Sequence, residues 1–255
     1  MANFISEDNI EQATIKLLVE CLNYKAIRCY TESPNTLPDN SGRTDKKQVV
    51  LPEILLEQLL KLNPNIPEET VKDKWKELCH TPATYDIMQE NYENYLKLKN
   101  GIDVTYQKEG KKESNKLIVI DFNNPENNSF HVVSQLWIKG ETYNRRPDLI
   151  IYVNGLPLVF IELKNSNIPV KNAYDKNLKD YIKDIPYLFN YNQICVLSNG
   201  VETRLGSFKA DYNYFFEWLK IADENESPDR KSIREQGISL EYFIRGLCKP
   251  ANLLD

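Results

Sequence analysis

Long apolar runs are missing from this chain. None approaches the roughly 20 residues that a membrane span needs, so the sequence predicts no membrane segment. The opening residues, MANFISEDNIEQ, hold no apolar stretch of the kind that marks a secretory signal. Cysteine is sparse and unordered: the five, at 21, 29, 79, 195 and 248, form no CxxC pair. That pattern predicts reduced thiols in a cytoplasmic protein and excludes disulfide staples or a zinc site. Histidine is scarcer still. His80 and His131 stand in no HExxH arrangement, and both read as ordinary histidines. No GxSxG occurs, and a serine triad would have to use one of those two histidines. Neither GxxxxGK(S/T) nor GxGxxG is present, which removes nucleotide hydrolysis and dinucleotide binding. An excess of positive charge is also lacking. The net charge of −5 and pI of about 5.3 argue against a nucleic-acid binder that relies on its overall field. They leave room for a local basic groove, or for a domain that receives DNA from a more basic partner.

What is present is an ordinary globular composition, 41% hydrophobic and 27% charged over 255 residues, enough to bury a real core. Ser6 is placed to cap a helix whose residues Ile10, Ala13, Leu17, Leu18 and Cys21 share a face. The polar stretch 31–47 reads as a long loop. Three short helices follow, with Pro52 and Pro67 as first helical residues of two of them. The third spans about Thr84 to Asn100, with Tyr85, Met88, Tyr92, Tyr95 and Leu96 at helical spacing and Gly101 as its stop. From residue 102 the period becomes that of strands. IDVTYQ and KLIVIDF flank the charged turn KEGKK as a hairpin. SFHVVSQLWI, LIIYV, LPLVFIEL and QICVLS follow, the middle two as strands buried on both faces. Residues 171–185 read as a helix stopped by Pro186, and the tail is mostly helical. This order predicts the α/β class: a mixed central sheet flanked by helices.

With other chemistries removed, one carboxylate–lysine constellation remains, in RRPDLIIYVNGLPLVFIELKN (145–165). Asp148 opens one apolar strand, and Glu162 and Lys164 close the next. Glu162 and Lys164 are two apart, so they share a strand face. Whether Asp148 joins them depends on the hairpin. A two-residue Asn154-Gly155 loop places Asp148 opposite Ile161, with Glu162 facing away. A three-residue loop, Val153 to Gly155, places Asp148 opposite Phe160 and brings all three to one side. Two converging carboxylates make a seat for Mg²⁺, which takes one or two carboxylates plus water and substrate phosphate. The backbone carbonyl of Leu163 is a further candidate ligand, and Lys164 is placed to orient a water or offset transition-state charge. Arg145 and Arg146 are candidate phosphate contacts. The competing reading is a buried structural ion pair.

At this segment the sequence resembles the PD-(D/E)xK nucleases, and more closely the N-terminal nuclease domain of the R subunit of type I restriction enzymes. SEDNIEQATIKLL, NNSFHVVSQLWI, RRPDLIIYVNGLPLVFIELKN and YNQICVLSNGVETRLGS carry the likeness in order, and ISLEYFIRGLCKPANLLD resembles the stretch that leads into a motor. The resemblance implies a restriction-endonuclease-like core. Asp148 and Glu162 would be metal ligands, Lys164 the catalytic lysine, and Glu11 an acidic group near the metal. It also implies a Q-x-x-x-Y motif on the helix after the site. The matching stretch, NLKDY, has Asn177 where Gln is usual, followed by Tyr181. Both are candidate DNA contacts. The expected organisation is one nuclease domain over 1–255, with a helical insertion at about 50–100, a core at about 101–208 and a helical segment over 209–255. The expected partners are double-stranded DNA and the modification and specificity subunits, with ATP used only by the motor of a full-length subunit. A stand-alone repair or recombination nuclease and a non-catalytic docking module are the alternatives.

Overall fold

Backbone pairing organises the chain around one mixed sheet. The computed structural model describes residues 5–80, 86–222 and 225–255. Among these, the strands in chain order are β1 (Lys25–Arg28), β2 (Ile102–Lys108), β3 (Lys111–Leu117), β4 (Phe130–Ser134), β5 (Leu149–Val153), β6 (Leu156–Leu163), β7 (Ile194–Ser198), β8 (Thr203–Gly206) and β9 (Phe216–Glu217). Seven form a sheet in the order β1-β4-β5-β6-β7-β8-β9, while β2 and β3 pair only with each other. The β1–β4 and β6–β7 pairs are parallel and the other neighbours antiparallel. The helices are α1 (Glu7–Leu22), α2 (Pro52–Leu62), α3 (Glu68–Cys79), α4 (Ile87–Asn100), α5 (Lys179–Asp184), α6 (Arg230–Gln236), α7 (Ser239–Gly246) and α8 (Pro250–Leu253). The architecture is the expected α/β one, a mixed sheet with helices around it, consistent with a restriction-endonuclease-like fold. No helix among the described residues is long and apolar enough to cross a membrane.

Strands β4, β5 and β6 are buried along their whole length, which is why LIIYV and LPLVFIEL lack polar alternation. The β5–β6 turn is not the three-residue loop that brings the site together in a regular hairpin. Val153 pairs with Leu156, so the loop is the two-residue Asn154-Gly155. Both residues have positive φ, 51° and 82°, the backbone of a type I′ hairpin turn. The register then shifts between Ile151 and Tyr152, which leaves Ile151 facing Val159 and Leu149 facing Ile161. Leu158 is the extra residue of this bulge. Continued by one residue, the register sets Asp148 opposite Glu162.

The turn is pinned on both sides. Asn154 Nδ2 donates to Val119 O (2.9 Å) and Asn128 Oδ1 (2.8 Å), and its own Oδ1 accepts from Ser129 N. Gly155 O accepts from Leu51 N at the start of α2 (2.9 Å). A Cβ on Gly155 would lie 2.7 Å from Leu51 O and 2.8 Å from Leu55 N, both backbone atoms. Gly155→Ala therefore combines left-handed strain with a clash that no side chain can relieve. We expect it to cost about 3 kcal/mol, or roughly 10 °C of melting temperature in a domain this size. A calorimetric shift below about 2 °C would show that α2 yields more easily than this.

Several expectations need correction. Ser6 caps α1 as expected, its side chain accepting from Asn9 N, but the buried face is Ile10, Glu11, Thr14 and Leu18. Ala13 and Cys21 are exposed. Pro52 opens α2, whereas Pro67 sits one residue before α3. On α4, Met88, Tyr92 and Tyr95 point to solvent. The helix packs instead through amides: Asn91 donates to Phe189 O and Asn192 O, and Asn94 to Asn190 O. The expected start of that helix at Thr84 and Tyr85 lies outside the described residues. The second hairpin strand is the polar KKESNKL, not KLIVIDF, because the β2–β3 ribbon stands apart from the main sheet. Strand β1 and, in the tail, strand β9 are additions to the expected elements. Finally, the 171–185 helix begins as a π-helical turn, Ala173–Leu178, before α5.

Candidate active site

The topology gathers one end of the sheet. Arg28, last in β1, pairs with Ser134, last in β4. Leu163, last in β6, pairs with Ser198, last in β7. Strand β5 begins beside them, with Gln135 N donating to Asp148 O (3.3 Å). Carboxyl ends of adjacent parallel strands leave a crevice where open α/β sheets bind ligands.

Asp148, Glu162 and Lys164 meet there. Leu163 N donates to Asp148 Oδ2 at 2.7 Å. Lys164 Nζ donates to Glu162 Oε1 (3.0 Å) and to Leu163 O (2.7 Å). The Glu162 side chain is 3% exposed and that of Lys164 14%, so the lysine head stands nearer solvent than the carboxylate it serves. Burial pushes the Asp148 carboxyl up to about 6, against the opposing pull of the Leu163 amide and Lys164. Burial, and then the charge of Asp148, push Glu162 up to about 8 despite Lys164. A carboxylate held this far above its usual range lacks compensation for its charge. The missing compensation is visible: Glu162 Oε2 is buried with no partner in close hydrogen-bonding geometry, and the Tyr181 hydroxyl nearby offsets the rise only in part.

The remaining candidates separate by what they touch. Glu11, inside the buried face of α1, accepts from Gln135 Nε2 at 2.6 Å. Burial lifts it to about 7, and Asp148 adds to the rise. Gln135 holds φ at 60°, uncommon for a residue other than glycine; local strain of this kind clusters at functional sites. Its polar side chain within an apolar run was the available signal, and sequence reasoning passed over it. Tyr181 is buried, packs edge-on against Phe160 with ring centres 5.2 Å apart, and donates to Arg146 O (3.0 Å). It braces the loop that carries Arg146 and Asp148, and its hydroxyl also faces Glu162, whose charged form it helps to stabilise as a hydrogen-bonding neighbour outside close bonding geometry. Asn177 lies half-buried in the π-helical turn, so one geometry does not continue from it to Tyr181. Such turns recur at functional sites. Arg145 is committed internally, to Asp184 (Nε–Oδ2 2.7 Å) and Asp180 (3.0 Å). Arg146 has no acid partner among the described residues.

The donor set suits a hard divalent cation of the Mg²⁺ type. Glu162 Oε2 and the Asp148 carboxylate offer oxygens, one of them orphaned, and the Leu163 carbonyl follows directly after Glu162 in the chain. Among the described residues no three His, Cys, Asp or Glu side chains form a closed cage. Mg²⁺ needs none, because it keeps waters and takes substrate phosphate.

Known proteins share this sequence along most of its length. Residues 4–214 match the family model described as "Type I restriction enzyme R protein N terminus". The HindI endonuclease subunit of a type I restriction enzyme from Haemophilus influenzae is 33% identical across 98% of this chain and 23% of its own length. A Methanocaldococcus jannaschii protein, provisionally described as the MjaIXP type I restriction enzyme endonuclease subunit, is 29% identical across 98% of this chain and 25% of itself. The SauCOLORF180P endonuclease subunit of Staphylococcus aureus is 40% identical over 77 residues, 30% of this chain and 8% of that protein. The chain thus spans about a quarter of the length of the first two relatives.

Proposed function

This chain belongs to the type I restriction enzyme R protein N-terminal family, and from that premise we propose that it is the Mg²⁺-dependent endonuclease domain of such a subunit. Its reaction is phosphodiester hydrolysis in double-stranded DNA. The observation that carries the reading is the orphaned Oε2 of Glu162, buried opposite Asp148 and beside Lys164. A purely structural ion pair gains nothing by leaving a carboxylate oxygen bare, whereas a metal seat requires it.

In this reading Asp148 and Glu162 would hold the ion, with the Leu163 carbonyl, which now accepts from Lys164, as a further candidate ligand and Glu11 as an outer acid. Mg²⁺ supplies Lewis-acid polarisation of the phosphate and makes water easier to deprotonate. Lys164 turns its ammonium from Glu162 toward the attacking water and the phosphate oxygens, where negative charge builds. Tyr181 holds the neighbouring backbone and strand, Asn177 is a candidate DNA contact, and Arg146 meets phosphate. In the full complex with the modification and specificity subunits, the specificity subunit chooses the site, and an ATP-driven motor delivers the DNA in the cytoplasm. Residues 209–255 lead toward that motor.

Calorimetric titration of the chain with Mg²⁺ tests the seat. Wild type should bind, and Asp148→Asn and Glu162→Gln should each weaken binding by about tenfold or more, since each removes an anionic ligand. Equal Mg²⁺ binding by all three proteins would favour the docking-module alternative.

A further inference from the structure

The arginines of this acidic chain divide in an uneven way. Of eight, six have a carboxylate partner: Arg43, Arg145, Arg204, Arg230, Arg234 and Arg245. Among the described residues, only Arg28 and Arg146 have none. These two are 118 positions apart in the chain, yet both guanidinium groups lie over the same ring, that of Tyr30, at 5.8 and 5.9 Å from its centre. Arg146 also lies over Trp137 at 5.0 Å. The result is an alternating ladder: Arg28, Tyr30, Arg146, Trp137.

The ladder stands at the gathered end of the sheet. Arg28 closes β1, Tyr30 is two residues on, Trp137 is three residues past β4, and Arg146 is two residues before Asp148. Arg146 is close enough to act electrostatically on both Asp148 and Glu11. Arg28 and Tyr30 are exposed, and Arg146 and Trp137 partly so, so the ladder opens to solvent at its Arg28–Tyr30 end. Bringing two unpaired cations to one ring is unfavourable in the free protein. Stacking offsets part of that cost and holds the planar donors in fixed orientation, leaving their edge N–H groups unused. In a chain of net charge −5, two adjacent arginines without acid partners make a place where a polyanion is favoured locally.

We propose that the Arg28–Tyr30–Arg146–Trp137 ladder is the phosphate-backbone contact that sets the DNA strand across the carboxylate–lysine site. The proposal rests on the nuclease reading for its substrate and adds Arg28, Tyr30 and Trp137 to the surface that binds it. The aromatic members orient the guanidinium groups. The arginines carry the phosphates, each in a fork of two N–H donors. Such contacts fix the position of the duplex and carry no sequence information, as suits a domain that is handed its DNA.

The test is fluorescence anisotropy of a labelled duplex of about 20 base pairs, titrated with the chain between about 25 and 150 mM KCl, where counterion release makes each phosphate contact countable. Arg28→Ala and Arg146→Ala should each weaken binding several-fold at low salt and lower the salt slope by about one. Arg28→Lys should keep the slope and lose affinity, because the charge remains and the stacked fork does not. Tyr30→Ala should weaken binding and Tyr30→Phe should not. Lys111→Ala, on the separate β2–β3 ribbon, should match wild type. Melting curves identify any variant that fails to fold, and the Lys and Phe variants keep the test decisive in that event. Unchanged slopes in both alanine variants, or no binding by wild type at the low-salt end, would overturn the ladder. The nuclease reading fails separately, by absence of Mg²⁺ binding and of Mg²⁺-dependent cleavage in the full-length subunit while the slopes behave as expected.

Discussion

Lys164→Ala in the full-length subunit, assembled with its partners, should lower DNA cleavage by at least about a thousandfold while DNA-stimulated ATP turnover continues. The lysine is the cation hydrogen-bonded to a metal-seat carboxylate, placed to set positive charge against the reacting phosphate without occupying a metal position. Its removal also takes a cation away from Glu162, 3.0 Å distant, so Mg²⁺ should bind the variant at least as well as wild type. Asp148→Ala and Glu162→Ala should abolish cleavage for the opposite reason, by weakening the ion's hold. Asn177→Ala should cost less than about tenfold, because the half-buried amide touches none of the three. The assay is linearisation of a circular plasmid carrying the recognition site, with ATP turnover followed in parallel. Cleavage by Lys164→Ala at the wild-type rate would remove the lysine from the mechanism. Loss of ATP turnover in all three variants alongside cleavage would mark the residues as structural.

Without metal, the site should destabilise the fold as pH rises from about 6.5 to 8, and Glu162→Gln should remove most of that slope. Glu162 titrates near 8 in the folded chain against an ordinary value of 4.5, Glu11 near 7 and Asp148 near 6. Each folded-state value lies above the unfolded one. The folded chain therefore binds these protons more tightly, and the stability they confer is present at low pH and lost as pH climbs through the folded values. The window avoids His131, which burial lowers to about 4 and whose effect falls between that value and its ordinary 6.5. Unfolded cysteines, with an ordinary value of about 8.5, begin to ionise only at the top of the window. The expected loss is on the order of a few kcal/mol, several degrees of melting temperature. Glu162→Gln should melt higher than wild type at pH 8 while failing to cut, as expected where stability is sacrificed for function. Mg²⁺ should stabilise wild type more at pH 8 than at 6.5, because at the lower pH it must displace protons. A flat wild-type melting temperature across the window would mean the carboxyls are solvated or compensated.

Much of the site was legible because its chemistry is concentrated in one hairpin. Apolar runs bounded by Asp148 and by Glu162 and Lys164 leave those charges nothing to solvate them except one another and a bound ion, and Asn-Gly announced the turn. The bulge was not legible. Leu158 is as apolar as its neighbours, and a strand buried on both faces carries no alternation from which a slipped register can be read. On α1, periodicity puts Ala13 inside and leaves Glu11 and Thr14 out, since it counts apolar residues while this face exists partly to hold an acid. Helix α4 misleads for a related reason, since beside Leu98 its buried face holds asparagine amides on backbone carbonyls. Arg28 and Tyr30 escape notice because a four-residue strand, KAIR, gives too little pattern to place them beside Arg146.

The hairpin also settles a question of parity. Thirteen residues separate Asp148 from Glu162, an odd number, and a regular two-residue hairpin closes only an even spacer with its end residues face to face. Leu158 works as a one-residue frame correction, set near the tip and away from the chemistry. A spacer of twelve without the bulge and a spacer of thirteen with it deliver the same two facing carboxylates. Single-residue changes of length can thus be absorbed at 157–159, where the strand already tolerates an irregular step. Between 159 and 162 the same change would turn Glu162 to the opposite face and separate it from Asp148.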